Sequence, residues 1–130
     1  MSANEKIIID DSILSFIEAK SSSPKTDNEE RFNEFIKEIS DKFLHSFELW
    51  LSIVTKRRNE DISENLRKID MQIIKFKFIL VINGHKEEWL VPIMYALKKV
   101  LKSYRKIWGT EVIVLNENGA KRWNLICNNC

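Results

Sequence analysis

The sequence has few of the features that mark special classes of protein. Its two cysteines stand among the last four residues, as Cys127 and Cys130. Structural zinc needs more ligands than two, and a redox pair usually opens a helix beside a sheet, so this spacing predicts an inert tail. No apolar run approaches the roughly 20 residues of a membrane span, and the acidic start lacks the apolar core of a signal peptide. We therefore expect a cytoplasmic protein without a membrane partner.

An excess of one charge is also lacking. The net charge is +2, which by itself is too small to indicate nucleic-acid binding. With 44% hydrophobic and 31% charged residues, the composition is that of an ordinary globular protein. A chain of 130 residues predicts a single domain with one core. We expect that core over about 5–123 and a tail over 124–130.

Two kinds of periodicity alternate along the chain and predict an α/β fold. β-branched and apolar runs at 6–10, 13–20, 73–82 and 111–115 indicate strands. Apolar residues at spacings of three and four predict a long helix from about 27–30 to 55 or 56 and a second from about 89 to 108. Weaker signals predict short helices near 62–68 and 116–123. The result is a small mixed sheet, with an antiparallel hairpin and then a parallel strand-helix-strand unit, flanked by helices on both faces.

Glu18 and Lys20 stand out because they interrupt a run that is otherwise typical of a buried strand. Acidic and basic side chains are rarely buried unless they are paired or bind a metal. Side chains two apart on a strand share a face, so these two lie side by side. Two interpretations follow. Either they form an ion pair at the end of the sheet, or they belong to a metal site.

The order of elements, together with Glu18-Ala19-Lys20 closing the second strand, resembles the PD-(D/E)xK nuclease superfamily, whose fold is called restriction-endonuclease-like. The resemblance covers most of the chain. It implies that the acid and the lysine of this strand, with an acid from the preceding strand, hold Mg²⁺ or Mn²⁺ and a water. The implied activity is metal-dependent cleavage of phosphodiester bonds in DNA, with Glu18 and Lys20 as catalytic residues. The upstream helix and the Pro-Asp dipeptide of the family are missing.

The hairpin register decides which acid of the first strand lies beside Glu18. In a tight turn centred on residues 11–12, facing residues have numbers that add to 23, which places Glu5 opposite Glu18. Asp10 lies at the turn, about 20 Å away by strand rise. We therefore predict Glu5 and Glu18 as metal ligands. Asp10 is kept as a third candidate in case the turn is wide and bulged.

Five basic residues of the second helix are the candidates for DNA contacts: Lys98, Lys99, Lys102, Arg105 and Lys106. Each contact with a phosphate would add a salt-dependent increment to binding. The alternative is an ordinary solvated helix face. The charged residues Glu30, Glu34 and Lys37 of the long helix are expected to face solvent without a function.

Three classes of function remain open on the sequence alone. The first is the nuclease, and the second is a module of the same fold that binds DNA or protein without catalysis. Either would suit a homodimer, because one short chain covers little of a duplex. The third is an enzyme that acts on a small phosphorylated molecule at the Gly84-His85 turn, where a parallel strand ends.

Overall fold

The computed structural model describes residues 5–10, 12–24, 27–55 and 72–122. Within these ranges the chain forms a four-stranded sheet with helices. The elements, in chain order, are β1 (Glu5–Asp10), β2 (Ile13–Lys20), α1 (Glu29–Val54), β3 (Lys75–Ile82), α2 (Glu87–Val100), α3 (Lys102–Trp108), β4 (Glu111–Leu115) and α4 (Glu117–Arg122). The predicted α/β class and mixed sheet are confirmed. The predicted helix at 62–68, Trp123 and the cysteine tail lie outside the described residues.

The strands lie in the sheet in chain order, β1-β2-β3-β4. β1 is antiparallel to β2, whereas β2, β3 and β4 are mutually parallel. Glu5 is the register partner of Glu18, and Asp10 is that of Ile13. The predicted tight hairpin and its register are therefore confirmed. Because parallel strands end at one edge, Lys20, Ile82 and Leu115 mark the carboxyl edge of the sheet.

α1 connects β2 to β3 and covers one face of the sheet. It begins where predicted, after Asn28, whose side-chain Oδ1 accepts a hydrogen bond from the backbone N–H of Arg31 at 3.2 Å. Such an N-cap satisfies one of the free N–H groups of the first turn. The apolar stripe of α1 is buried at Phe35, Ile36, Ile39, Phe43, Phe47, Trp50 and Ile53. The charged side opposite it is exposed at Glu30, Glu34 and Lys37, as predicted.

The main core lies between this face of the sheet and the helices α1 and α2. Aromatic rings dominate it: Phe43 stacks on Phe78 with ring centroids 5.0 Å apart, and Phe16 meets Phe78 edge to face at 5.8 Å. Such pairs add about 0.5–1.5 kcal/mol beyond the burial of their area. The opposite face carries a smaller cluster in which Ala120 of α4 packs with Ile17, Ile79 and Val81. The core thus anchors β2 and α1 firmly against each other.

The second predicted helix is divided in two, which the periodicity did not indicate. Leu101 leaves helical geometry, with φ −98° and ψ 15°, and separates α2 from α3. α2 also begins two residues earlier than predicted, with Glu87 and Glu88 in its first turn, where negative charge favours the helix dipole. Gly109 ends α3 with a φ of 65°, a left-handed conformation that suits glycine. None of the described helices is long and apolar enough to cross a membrane.

Candidate functional site

Four charged side chains meet between β2 and α1, and we call them the ionic cluster: Glu18, Lys20, Glu38 and Lys42. Glu18 and Lys20 are the last inward-facing residues of β2. Glu38 and Lys42 are one turn apart on α1, so they project from the same side of that helix. α1 lies against β2 through its apolar stripe, and this packing brings the two pairs together.

The ion pairs of the cluster form a chain from the interior to the surface. Lys42 Nζ lies 3.2 Å from Glu18 Oε1 and 3.6 Å from Glu38 Oε1. Lys20 Nζ lies 3.2 Å from the same Glu38 oxygen. The Glu18 side chain is 1% exposed, while that of Glu38 is 55% exposed. A carboxylate is therefore held in the protein interior, and the ammonium of Lys42 connects it to the solvent side.

The two lysines control the charge of the outer carboxylate. The hydrogen bond from Lys20 and its positive charge lower the pKa of Glu38 below its ordinary value, against a smaller opposing effect of burial. The charge and the hydrogen bond of Lys42 lower it further. Both lysines therefore favour the ionised form of Glu38. Counted by formal charge, the two carboxylates and the two ammonium groups give the ionic cluster a net charge of zero.

The first strand places the two predicted partner acids differently. Glu5 is directly across the hairpin from Glu18. Asp10 is opposite Ile13, which is five residues along β2 from Glu18 and thus about 17 Å away by strand rise. The structure does not bring Asp10 to Glu18, because the hairpin turn is tight. The side chains of Glu5 and Asp10 lie outside the described part of the chain.

Two of the four groups in the ionic cluster are carboxylates, the ligand type that hard divalent cations prefer. Mg²⁺ prefers carboxylate oxygens and usually takes only one or two of them, with waters and substrate phosphates completing its shell. Glu18 and Glu38 supply such oxygens, and Lys42 lies within 4 Å of both. Among the described residues, no group of three or more His, Cys, Asp or Glu side chains is arranged to hold a metal ion. A cation bound to Glu18 would therefore have the Lys42 ammonium as an immediate neighbour.

The five basic candidates for DNA contacts lie at the other end of the molecule from the carboxyl edge. α2 starts after β3 at that edge and runs back along the sheet, and α3 ends just before β4 begins. Lys99, Lys102, Arg105 and Lys106 are exposed, and Lys98 is partly buried. They form a solvated basic stretch around the break at Leu101. The structure groups them with one another but not with the ionic cluster.

A second set of polar groups lies at the carboxyl edge, and we call it the edge network: Ser23, Gly84, His85, Asn116 and Glu117. Ser23 Oγ and His85 Nε2 share a hydrogen bond of 2.6 Å. Asn116 Nδ2 donates to the His85 carbonyl at 3.0 Å, and the Gly84 N–H donates to Glu117 Oε2 at 2.7 Å. These contacts join three connections that follow parallel strands. The backbone hydrogen bond with Gly84 is the main reason that the pKa of Glu117 is lowered.

A cleft of about 580 Å³ opens beside the edge network. Its walls are Ser23, Pro24, Asp27, His85, Glu88, Trp89, Pro92 and Ile93. The two carboxylates in this lining would repel a phosphate group. The cleft is therefore poorly suited to the small phosphorylated ligand that the Gly84-His85 turn predicted.

Sequence reasoning did not find Glu38 and Lys42, although a signal for them exists. They directly precede Ile39 and Phe43, two stripe residues, at a spacing of four. That pattern places them on the border of the buried face, where a charged side chain can reach the sheet. Which strand they would meet depends on how α1 lies across the sheet. No short segment of the sequence determines how α1 lies across the sheet.

Comparison with protein-family models, with curated proteins and with solved structures gives no match for this chain. Its class is therefore defined by its own architecture. Over its described residues it is a mixed α/β protein whose four-stranded sheet carries a buried carboxylate in an ionic cluster beneath a long helix.

Proposed function

We propose that this protein is a metal-dependent nuclease of the restriction-endonuclease-like fold that cleaves phosphodiester bonds of DNA in the cytoplasm. The observation that carries the proposal is Glu18, a fully buried carboxylate on a central strand with two lysines and a second carboxylate around it. Burial of a charge lowers stability unless it is compensated, and such arrangements concentrate at functional sites.

Each residue of the proposed site has a separate role in metal binding or catalysis. Glu18 and Glu5, which face each other across the hairpin register, hold Mg²⁺ or Mn²⁺, with Asp10 too far along the strand to join them. When bound, the ion supplies a lowered pKa for water and positive charge for a phosphate oxygen. Lys20 directs the attacking water and stabilises negative charge as it develops on the phosphate. Glu38 keeps the Lys20 ammonium in place through their 3.2 Å contact.

The DNA is held by phosphate contacts from the basic stretch of α2 and α3, namely Lys98, Lys99, Lys102, Arg105 and Lys106. Because this stretch and the ionic cluster lie at different ends of the sheet, one duplex contacts both more easily on a homodimer. β1 lies at the edge of the described sheet, so it offers a strand to a second copy.

A specific observation supports the alternative, a catalytically inactive binding module. The Lys42 ammonium already neutralises Glu18 at 3.2 Å. A carboxylate that has an internal partner of this kind is stable without a metal. In this alternative the cluster is structural, and only the basic stretch acts on DNA.

The test is cleavage of plasmid and of single-stranded DNA with Mg²⁺ or Mn²⁺. We expect Glu18→Gln and Lys20→Ala each to slow cleavage by about 100-fold or more, as for loss of a charge-stabilising catalytic group. Glu111→Gln and Lys37→Ala are matched controls, since both residues form ion pairs at the surface. Equal cleavage by all variants would identify a contaminant. No cleavage, with salt-sensitive DNA binding retained, would favour the binding module.

A further inference from the structure

We propose that Lys42 is the resident counter-cation of the ionic cluster and that a divalent metal enters by displacing its ammonium from Glu18. This inference rests on the proposed function, since it concerns the same site. It adds a regulatory step, in which the site alternates between a state closed by Lys42 and a state that holds metal.

The side chains of Glu18 and Lys42 differ in how far they can move. Glu18 is on a central strand, its side chain is 1% exposed, and its neighbours in the sheet are fixed on both sides. Lys42 is on α1 at the border of the buried stripe, and its side chain is 27% exposed. A lysine stem has four rotatable carbons, so its ammonium can leave for solvent while Glu18 cannot. Lys42 is therefore the group that moves.

The charges make the two states mutually exclusive. Lys42 Nζ contacts Glu18 Oε1 at 3.2 Å, and this is an oxygen that a cation held by Glu18 would use. An ammonium and a divalent ion on the same oxygen repel each other strongly in a poorly solvated site. Binding of metal then requires the Lys42-out state, and the apparent affinity falls in proportion to the rarity of that state.

The Glu38 carboxylate gives the Lys42 ammonium a partner on the solvent side of the cluster. The Glu38 carboxylate is more than half exposed and lies one helical turn before Lys42. If the ammonium swings outward, it can keep a solvent-facing partner in Glu38, which also holds Lys20. Glu18 thus exchanges the Lys42 ammonium for the divalent ion and has a positive counter-charge in both states.

The test is titration with Mn²⁺ by calorimetry. We expect Lys42→Met and Lys42→Gln to bind Mn²⁺ at least about 10-fold more tightly than the wild type, because the competing cation is gone. Lys37→Met, which removes a surface lysine from the same helix, should match the wild type within about twofold. Glu18→Gln should abolish binding. Unchanged or weaker Mn²⁺ binding by the Lys42 variants overturns the inference, and so does the absence of binding in every variant.

A second readout uses the wild-type protein, in case loss of Lys42 impairs folding. Acetylation of Lys42 by a limiting amount of acetic anhydride, followed by mass spectrometry, reports how free its amine is. Relative to Lys37, which is 80% exposed, Lys42 should react faster once Mn²⁺ is added. An unchanged or lower ratio at saturating Mn²⁺ contradicts displacement.

These outcomes separate the inference from the proposed function. If the Lys42 variants gain Mn²⁺ affinity but no form of the protein cleaves DNA, the nuclease proposal fails and the displacement stands. If the wild type cleaves DNA in a Glu18-dependent way while Lys42→Gln binds Mn²⁺ no better than Lys37→Met, the nuclease stands and the displacement fails.

Discussion

The two polar regions of this protein are built on different principles. The edge network joins polar side chains, including the Glu117 carboxylate, to backbone groups of the turns, as in the bond from Asn116 to the His85 carbonyl. The ionic cluster holds a charged group, Glu18, in the interior. Backbone groups of a turn must be hydrogen-bonded in any fold, so the edge network is explained by folding alone. A buried carboxylate is not, because an apolar side chain of similar volume would fill the same space.

The largest effect is expected when charge is removed from the ionic cluster, first at Lys42 alone and then at Lys42 and Glu18 together. Lys42→Met alone should lower the free energy of unfolding by about 2–3 kcal/mol, because it deprives the buried Glu18 of an ammonium partner. The double variant Glu18→Leu with Lys42→Met should recover most of that loss. Urea unfolding of the three proteins measures both effects. A double variant less stable than Lys42→Met would show that the carboxylate supports the fold itself.

Substitutions in the edge network should lower the free energy of unfolding less, and no second substitution is expected to restore the loss. Asn116 donates to the His85 carbonyl and accepts from the Gly119 N–H at 2.9 Å, where it begins α4. We expect Asn116→Ala to lower the free energy of unfolding by about 1–2 kcal/mol, as for loss of a helix cap. Asn83→Ala, at an exposed turn nearby, should change it by less than about 0.5 kcal/mol. Equal losses in the two variants would contradict a specific role for the network.

The smallest expected effect is a pH dependence at Glu117. Its pKa is lowered in the folded protein, chiefly by the hydrogen bond from the Gly84 N–H. A carboxyl group of this kind stabilises the fold above its ordinary pKa of 4.5, and this contribution is lost as the pH falls through the lowered value. Glu117→Gln should therefore be less stable than the wild type at neutral pH, and the difference should shrink in acid. Glu34→Gln, on the exposed side of α1, is the control, and a difference independent of pH would contradict the assignment.

The hairpin shows how far local sequence rules reach. Alternation of apolar residues and a short polar link predicted that Glu5 faces Glu18, and the structure has this register. Register is strongly determined when one face of a strand is buried, since a slip by one residue would turn every side chain to the wrong face. The start of α1 was predictable for a similar reason, because Asn28 is a local cap. By contrast, no feature of the local composition predicted the break between α2 and α3 at Leu101.

Local sequence patterns were enough to predict the α/β class, the strand pairing of the hairpin and the buried stripe of α1. They also marked Glu18 and Lys20 as unusual charged residues in a buried strand. The packing of the folded chain was needed to show that Glu38 and Lys42 meet these two residues and that the basic stretch lies at the other end of the sheet. The physical reason is distance along the chain. Periodicity and capping act within a few residues, whereas the contact between Lys42 and Glu18 depends on the way an entire helix packs across the sheet.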